Sequence, residues 1–294
     1  MQPKTWESFV QVREGSLLKY DYPMEGFDRP SWQRPPQRKG YTGEVTDHTR
    51  KRIITAVDIL LQHSPTRRIF NPIIEKEHDF RVSFATLTIT DPTPPDTKKA
   101  NEALSKWLRH FKRPWNKRKL SEPISQYVWK AELQDRGNIH YHITSGSFLH
   151  HVEVNRVWND IQKSMGWVDK YHQRTGSWYP NSTDIHAVWE VKNLAGYISK
   201  YMGKKDFIDC SHIGFSVPVQ AVQLGGKIWG CSEELRGKKR FSTKIDEYTW
   251  KRLKASIAHG VVEEREFERC TFYTGAGLRE LSLKSRKGYE AWML

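Results

Sequence analysis

His140-Tyr141-His142 sets two imidazoles two residues apart, and Tyr197-Ile-Ser-Lys200-Tyr201-Met-Gly-Lys204 begins 55 residues after the second of them. Alternate residues of a strand share a face, so both imidazoles can approach one metal ion, and such an ion can polarise a phosphodiester. Tyrosines four apart lie one turn from each other on a helix, which offers two hydroxyls backed by Lys200 and Lys204. A phenol with a pKa near ~10 is a poor nucleophile at neutral pH. A nearby cation or a proton acceptor activates it, and the metal and the lysines would supply the charge. The product, a phosphotyrosine ester, keeps the energy of the broken bond, so the strand can be resealed without ATP. Two tyrosines would allow successive transfers. The chemistry implied is cutting and rejoining of single-stranded DNA.

The elements that must position these groups can be built from the pattern. Gln126–Gln134 and Asn138–Thr144 both alternate, and Asp135-Arg136-Gly137 separates them. This predicts a β-hairpin with a three-residue loop whose last residue, Gly137, takes the left-handed conformation. With Gln134 opposite Asn138, Leu133 faces Ile139, Ala131 faces Tyr141 and Trp129 faces Ile143, all on a core face. Glu132 then lies across from His140 on the other face, with His142 two residues along. Opposed Cβ atoms sit roughly 4.5–5.5 Å apart, so a carboxylate and two imidazoles converge. Two nitrogens and a carboxylate suit a borderline divalent ion and leave positions open for substrate. Mg²⁺ or Mn²⁺ is expected, because phosphate oxygens would complete the shell. Further on, Asn193 is the N-cap of a predicted helix that Gly203 ends. Leu194, Ile198 and Met202 form its buried stripe, and Tyr197 and Tyr201 lie along the stripe's edge.

Three stretches resemble the HUH-endonuclease superfamily of rolling-circle replication initiators. Phe84-Ala-Thr-Leu-Thr-Ile-Thr90 is similar to that family's first motif, an apolar strand rich in threonine. Glu132 through His140-Tyr141-His142 resembles the second, including the acidic residue eight positions before the first histidine. Tyr197-x-x-Lys200-Tyr201-x-x-Lys204 resembles the doubled tyrosine motif of initiators from small single-stranded DNA phages. The resemblance covers about residues 81–232 and includes Ile228-Trp-Gly-Cys-Ser232, which is similar to a late strand of phage and plasmid members. It implies an α+β fold, a central antiparallel sheet of about five strands flanked by helices, related to ferredoxin-like folds. By position it implies Glu132, His140 and His142 as metal ligands, Tyr197 and Tyr201 as nucleophiles, and Lys200 and Lys204 as phosphate contacts. The implied reaction is nicking at an origin, leaving a 5′-phosphotyrosine and a free 3′-hydroxyl. Transposases share this chemistry. Conjugative relaxases do too, but they place their tyrosine near the N-terminus and use a third histidine.

With 48 Lys+Arg against 34 Asp+Glu, the 294-residue chain carries a formal net charge of +14, and its pI is about 9.6. Such a surface attracts polyanions. No apolar run is long enough to span a membrane, and the start lacks the apolar stretch of a signal peptide. Cys210, Cys231 and Cys270 are widely spaced, which fits a reducing cytoplasm better than a disulfide framework. No phosphate loop of the Gly-x-x-x-x-Gly-Lys-Ser/Thr kind occurs, so an initiator of this sequence would borrow a host helicase and polymerase.

The expected organisation is a basic N-terminal arm and helix over 1–75, a nuclease domain over 76–240 and a helix–strand extension over 241–294 packed on it. Within this, helices are expected at 47–62, 98–112, 151–165 and 244–258, and strands at 81–90, 184–189 and 265–273. Arg29–Gly40 looks like an arm or irregular loop. The expected DNA contacts are Lys106, Arg109, Lys112, Arg113, Trp115, Lys117, Arg118 and Lys119, cations that track phosphates with a ring that stacks on bases. Trp107 and Phe111 in the same run are expected in the core. His150, His151 and His186 are read as ordinary polar positions. Two rival functions are a non-catalytic single-strand binder, for which the basic surface suffices, and a mononuclear iron oxygenase, whose facial site also uses two histidines and a carboxylate.

Overall fold

The computed structural model describes residues 6–13, 16–23, 45–71, 75–91, 97–114, 120–134, 137–188, 224–236, 242–257, 262–267 and 270–275. The elements begin with β1 (Trp6–Arg13), β2 (Ser16–Pro23), α1 (Asp47–Gln62), β3 (Arg67–Asn71), β4 (Lys76–Phe80) and β5 (Val82–Thr88). Next come α2 (Thr97–Lys112), β6 (Tyr127–Leu133), β7 (Ile139–Ser145), α3 (His151–Ser164), α4 (Asp169–Thr175) and β8 (Thr183–Val188). The last are β9 (Trp229–Cys231), α5 (Glu233–Arg236), β10 (Ser242–Lys244), α6 (Glu247–Ile257), β11 (Val262–Phe267) and β12 (Cys270–Gly275).

The chain divides into two compact units, one of residues 39–237 and one made from 1–38 together with 238–294. The segment expected as a single N-terminal part, 1–75, is thus shared between them, with α1 in the larger unit.

The larger unit is α+β. Its five-stranded antiparallel sheet runs β8-β5-β7-β6-β9, and helices cover both faces. The alternation of β5 decides which residue goes where. Ala85 and Leu87 point to one face and join Trp129, Ala131, Tyr141 and Ile143 in a core closed by Leu104, Trp107 and Phe111 of α2 and Val154 and Trp158 of α3. Val82 and Phe84 point to the other face, where with Val128 they meet Ile53, Val57 and Leu60 of α1. Thr86 and Thr88 continue that second face. A sheet buried on both sides by amphipathic helices needs this division of every strand.

Local chemistry starts the helices where the sequence suggests. The Thr46 hydroxyl accepts from the Thr49 N–H at 3.2 Å and caps α1. His150 caps α3 through Nδ1, which accepts from the Val152 N–H at 3.3 Å. His186 is an exposed strand residue whose Nε2 lies 2.8 Å from Asp184 Oδ2. Both histidines therefore have structural partners.

The smaller unit was less foreseeable. Its sheet runs β10-β1-β2-β12-β11, closed by a small core of Val10, Leu17, Ile245, Trp250, Leu253 and Tyr273. The β1–β2 pairing was not anticipated, and the strand expected at 265–273 is a pair, β11 and β12, in register from Val262↔Gly275 to Phe267↔Cys270. A two-stranded hairpin is marginal alone. Here strands from opposite ends of the chain support one another, and no local pattern announces such partners. The helix expected at 244–258 starts at Glu247, because Asp246 accepts from the Thr249 N–H at 2.7 Å and Ser242–Lys244 pair with β1. Among the described residues no helix is long and apolar enough to cross a membrane. Arg29–Gly40 and the helix expected around Tyr197–Lys204 lie outside the described residues.

Candidate metal centre

The β6–β7 register is the one that alternation predicts. The Gln134 N–H donates to the Asn138 carbonyl at 2.9 Å, Leu133 pairs with Ile139, Glu132 with His140 and Ala131 with Tyr141. Gly137 has φ 79°, the left-handed conformation that makes glycine the residue of choice there. One ligand atom from each of Glu132, His140 and His142 lies within 4.8 Å of the others. That is close to the separations of about 3–4 Å between ligands of one divalent ion. The three residues fit a metal ion by donor type as well, with two borderline nitrogens and one hard oxygen.

Strand β5 supplies the supports. Thr86 is the cross-strand partner of His142 and Thr88 that of His140. The Thr86 hydroxyl lies 3.1 Å from His142 Nδ1, and the Thr88 hydroxyl 3.1 Å from His140 Nε2. The Phe84 ring stacks on His142 at 5.6 Å between centroids, with 13° between planes. With Nδ1 held by a hydroxyl, His142 turns Nε2 toward Glu132, whose Oε1 lies 2.7 Å away. Such partners orient a ligating ring. Sequence reasoning assigned no role to the threonines. Their spacing of two on a strand was the available signal, but only the β5–β7 pairing shows which imidazole each one meets.

A fourth charged group went unnoticed. Lys130 is fully buried, is the cross-strand partner of His142, and holds its Nζ 3.6 Å from Glu132 Oε2. A lysine on a strand ordinarily reads as solvent-facing, so the sequence pattern hid it.

The electrostatics favour the ligand forms of these groups. For His140, burial and then the His142 imidazole push the pKa down to about 4, against the pull of Glu132. Its ring is therefore neutral at pH 7, with a lone pair to donate. Burial would raise the Glu132 carboxyl, but the His142 hydrogen bond and the charges of His142, Lys130 and His140 outweigh it and hold the carboxyl low. In the unfolded chain His140 takes a proton near its ordinary 6.5, and in the folded protein only near 4. Between those values the unfolded state binds more protons, so stability is full above 6.5 and falls as the pH drops toward 4. Glu132 acts in the same direction below its ordinary value. With chelator present, the melting temperature is expected to fall on acidification from about 6.5 to 4, and less steeply in His140→Gln. Identical slopes in scanning calorimetry would contradict this account of His140.

The expected DNA contacts divide. Lys106, Arg109 and Arg113 line a groove of about 350 Å³ between α2 and α3, with Arg156 and Asp160 on its far wall. Lys112 Nζ sits 5.0 Å from the Tyr127 ring centroid. Trp107 and Phe111 are core. Because α2 and α3 cover the Ala85/Leu87 face, this groove lies on the sheet face opposite the triad. Trp115, Lys117, Arg118 and Lys119 lie outside the described residues, as do Tyr197, Lys200, Tyr201 and Lys204.

The class defined by this geometry is an α+β protein whose antiparallel sheet carries a buried His-His-Glu cluster that could hold a divalent ion. Residues 82–206 match the model of a family described as replication-associated protein, of the ORF2 type. The matched stretch is similar to DNA replication proteins, and it spans the triad and the tyrosine–lysine repeat. No curated protein and no solved structure matches the chain.

Proposed function

We propose that the protein is a replication initiator that nicks and rejoins single-stranded DNA at an origin, through a 5′-phosphotyrosine intermediate, for rolling-circle replication of a small phage or plasmid. The observation that carries this reading is the convergence of Glu132, His140 and His142 on one sheet face within a stretch similar to replication-associated proteins. Glu132, His140 and His142 would hold Mg²⁺ or Mn²⁺. When bound, the ion would withdraw charge from the phosphodiester and favour attack on phosphorus.

Tyr197 or Tyr201 would supply the attacking oxygen. Its bond to phosphorus forms as the bond to the 3′-oxygen breaks, the phenolic proton is released, and the 3′-oxygen leaves as a hydroxyl. Lys200 and Lys204 would stabilise the phenolate and the phosphate charge. Reversal with a second 3′-hydroxyl reseals the strand. The net charge of +14 would gather DNA, and the basic groove of Lys106, Arg109 and Arg113, extended by Lys112, Trp115 and Lys117–Lys119, would track its backbone away from the triad. Host helicase and polymerase would do the rest of replication.

The test is a denaturing gel after incubation with Mn²⁺ and labelled single-stranded oligonucleotides tiled across the protein's own replicon. A metal-dependent covalent protein–DNA band is expected for wild type and none for the Tyr197→Phe/Tyr201→Phe double variant, with the single variants ranking the two tyrosines. Absence of cleavage and adduct from the folded, metal-loaded protein would leave a single-strand binding protein instead.

A further inference from the structure

Lys130 is an unusual residue to find beside a metal centre. Its side chain is fully buried, on the same sheet face as the triad by its pairing with His142, and its ammonium lies 3.6 Å from the carboxylate of Glu132. Burying a lysine is costly unless a partner compensates, and shape alone would be served by an apolar side chain. The consequence is a matter of charge. Two neutral imidazoles and one carboxylate would give the site one negative charge to offer a divalent cation. Lys130 cancels it, so an ion entering the site meets no net attraction and leaves a buried double positive charge behind. Opposite charge from elsewhere must then complete the site, and in the proposed reaction the nearest source is the phosphodiester.

We propose that Lys130 makes cation binding at the Glu132–His140–His142 site depend on a phosphate anion, so that the metal is held weakly by the free protein and firmly only with the phosphodiester in place. This rests on the proposed function, in that the triad holds a metal and the substrate is DNA. A divalent ion loosely held until substrate arrives limits cleavage to strands already seated in the site. A merely structural Lys130 makes the opposite prediction, because removing it would disorder the ligands and weaken the metal.

The experiment is a Mn²⁺ titration of the full chain followed by electron paramagnetic resonance of the free ion, with and without dimethyl phosphate, a singly charged phosphodiester. Wild type is expected to bind Mn²⁺ several-fold more tightly when dimethyl phosphate is present. Lys130→Met should bind Mn²⁺ alone about tenfold or more tightly than wild type and gain little from the phosphodiester, while Lys130→Arg should behave as wild type. Equal or weaker Mn²⁺ binding by a folded Lys130→Met would overturn the proposal. Should that variant fail to fold, wild type showing no gain from dimethyl phosphate would overturn it by itself. Glu132→Gln and His140→Ala run alongside separate the two levels of the argument. If they bind Mn²⁺ as wild type does, the metal reading fails; if they lose it while Lys130→Met is unchanged, only the role of Lys130 fails.

Discussion

His142→Ala is expected to lower Mn²⁺ affinity by more than about 100-fold and to remove the proposed metal-dependent cleavage with it. The ring is fixed from three directions, by the Thr86 hydroxyl at Nδ1, by Glu132 at Nε2 and by the face of Phe84. Deleting it removes a ligand and leaves Glu132 with Lys130 as its nearest charged partner. A graded pair of variants separates ligation from orientation. Thr86→Val keeps the shape of the side chain and loses only the hydroxyl, so its loss should be about 10- to 100-fold, the usual scale for a group that orients a ligand. Isothermal titration with Mn²⁺ reads both. His142→Ala binding as tightly as wild type would remove the triad from consideration as a metal site, and Thr86→Val binding as weakly as His142→Ala would make Thr86 a ligand rather than a support.

The triad was legible because its geometry is local. One assumption, Gln134 opposite Asn138, sets every later pair of a hairpin, and period-two alternation leaves a single choice of face for Glu132, His140 and His142. What could not be read depends on partners distant in sequence. Thr86 and Thr88 meet the histidines only because β5 lies beside β7, and no turn joins those strands to announce it. Lys130 is hidden for another reason: the sequence shows its type but not that α1 and strand β9 cover its neighbourhood. The second sheet fails by the same rule, since β1 and β2 take β10 and β12 from the far end of the chain. Helices, whose hydrogen bonds are internal, were located to within a residue or two wherever apolar spacing was regular. The exception, α6, begins late because Asp246 supplies its cap.

Tyr141 sits between the two histidines, and its replacement by alanine is expected to cost about 3–5 kcal/mol of stability. Its side chain points through the strand to the opposite face, where it is fully buried. The ring meets Trp129 edge-on at 5.9 Å and Trp158 at 6.4 Å, and its hydroxyl donates to Asn101 Oδ1 at 3.0 Å. This one residue ties β7 to α2 and α3, and β7 carries both imidazoles. Urea denaturation of Tyr141→Ala should therefore show a large loss, accompanied by weaker Mn²⁺ binding as the strand loosens. Tyr141→Phe keeps the ring and gives up one hydrogen bond, so about 1 kcal/mol is expected with metal binding intact. The same pair of variants tests whether Tyr141 could itself be the nucleophile. Burial drives its phenol far above the ordinary value, and its oxygen lies on the face away from the triad, so neither ionisation nor approach to a metal-bound phosphate is open to it. A Tyr141→Phe protein that folds and binds Mn²⁺ should form the covalent DNA adduct as wild type does. If it does not, the nucleophile has been assigned to the wrong tyrosines, and the phosphodiester must reach the core side of the sheet.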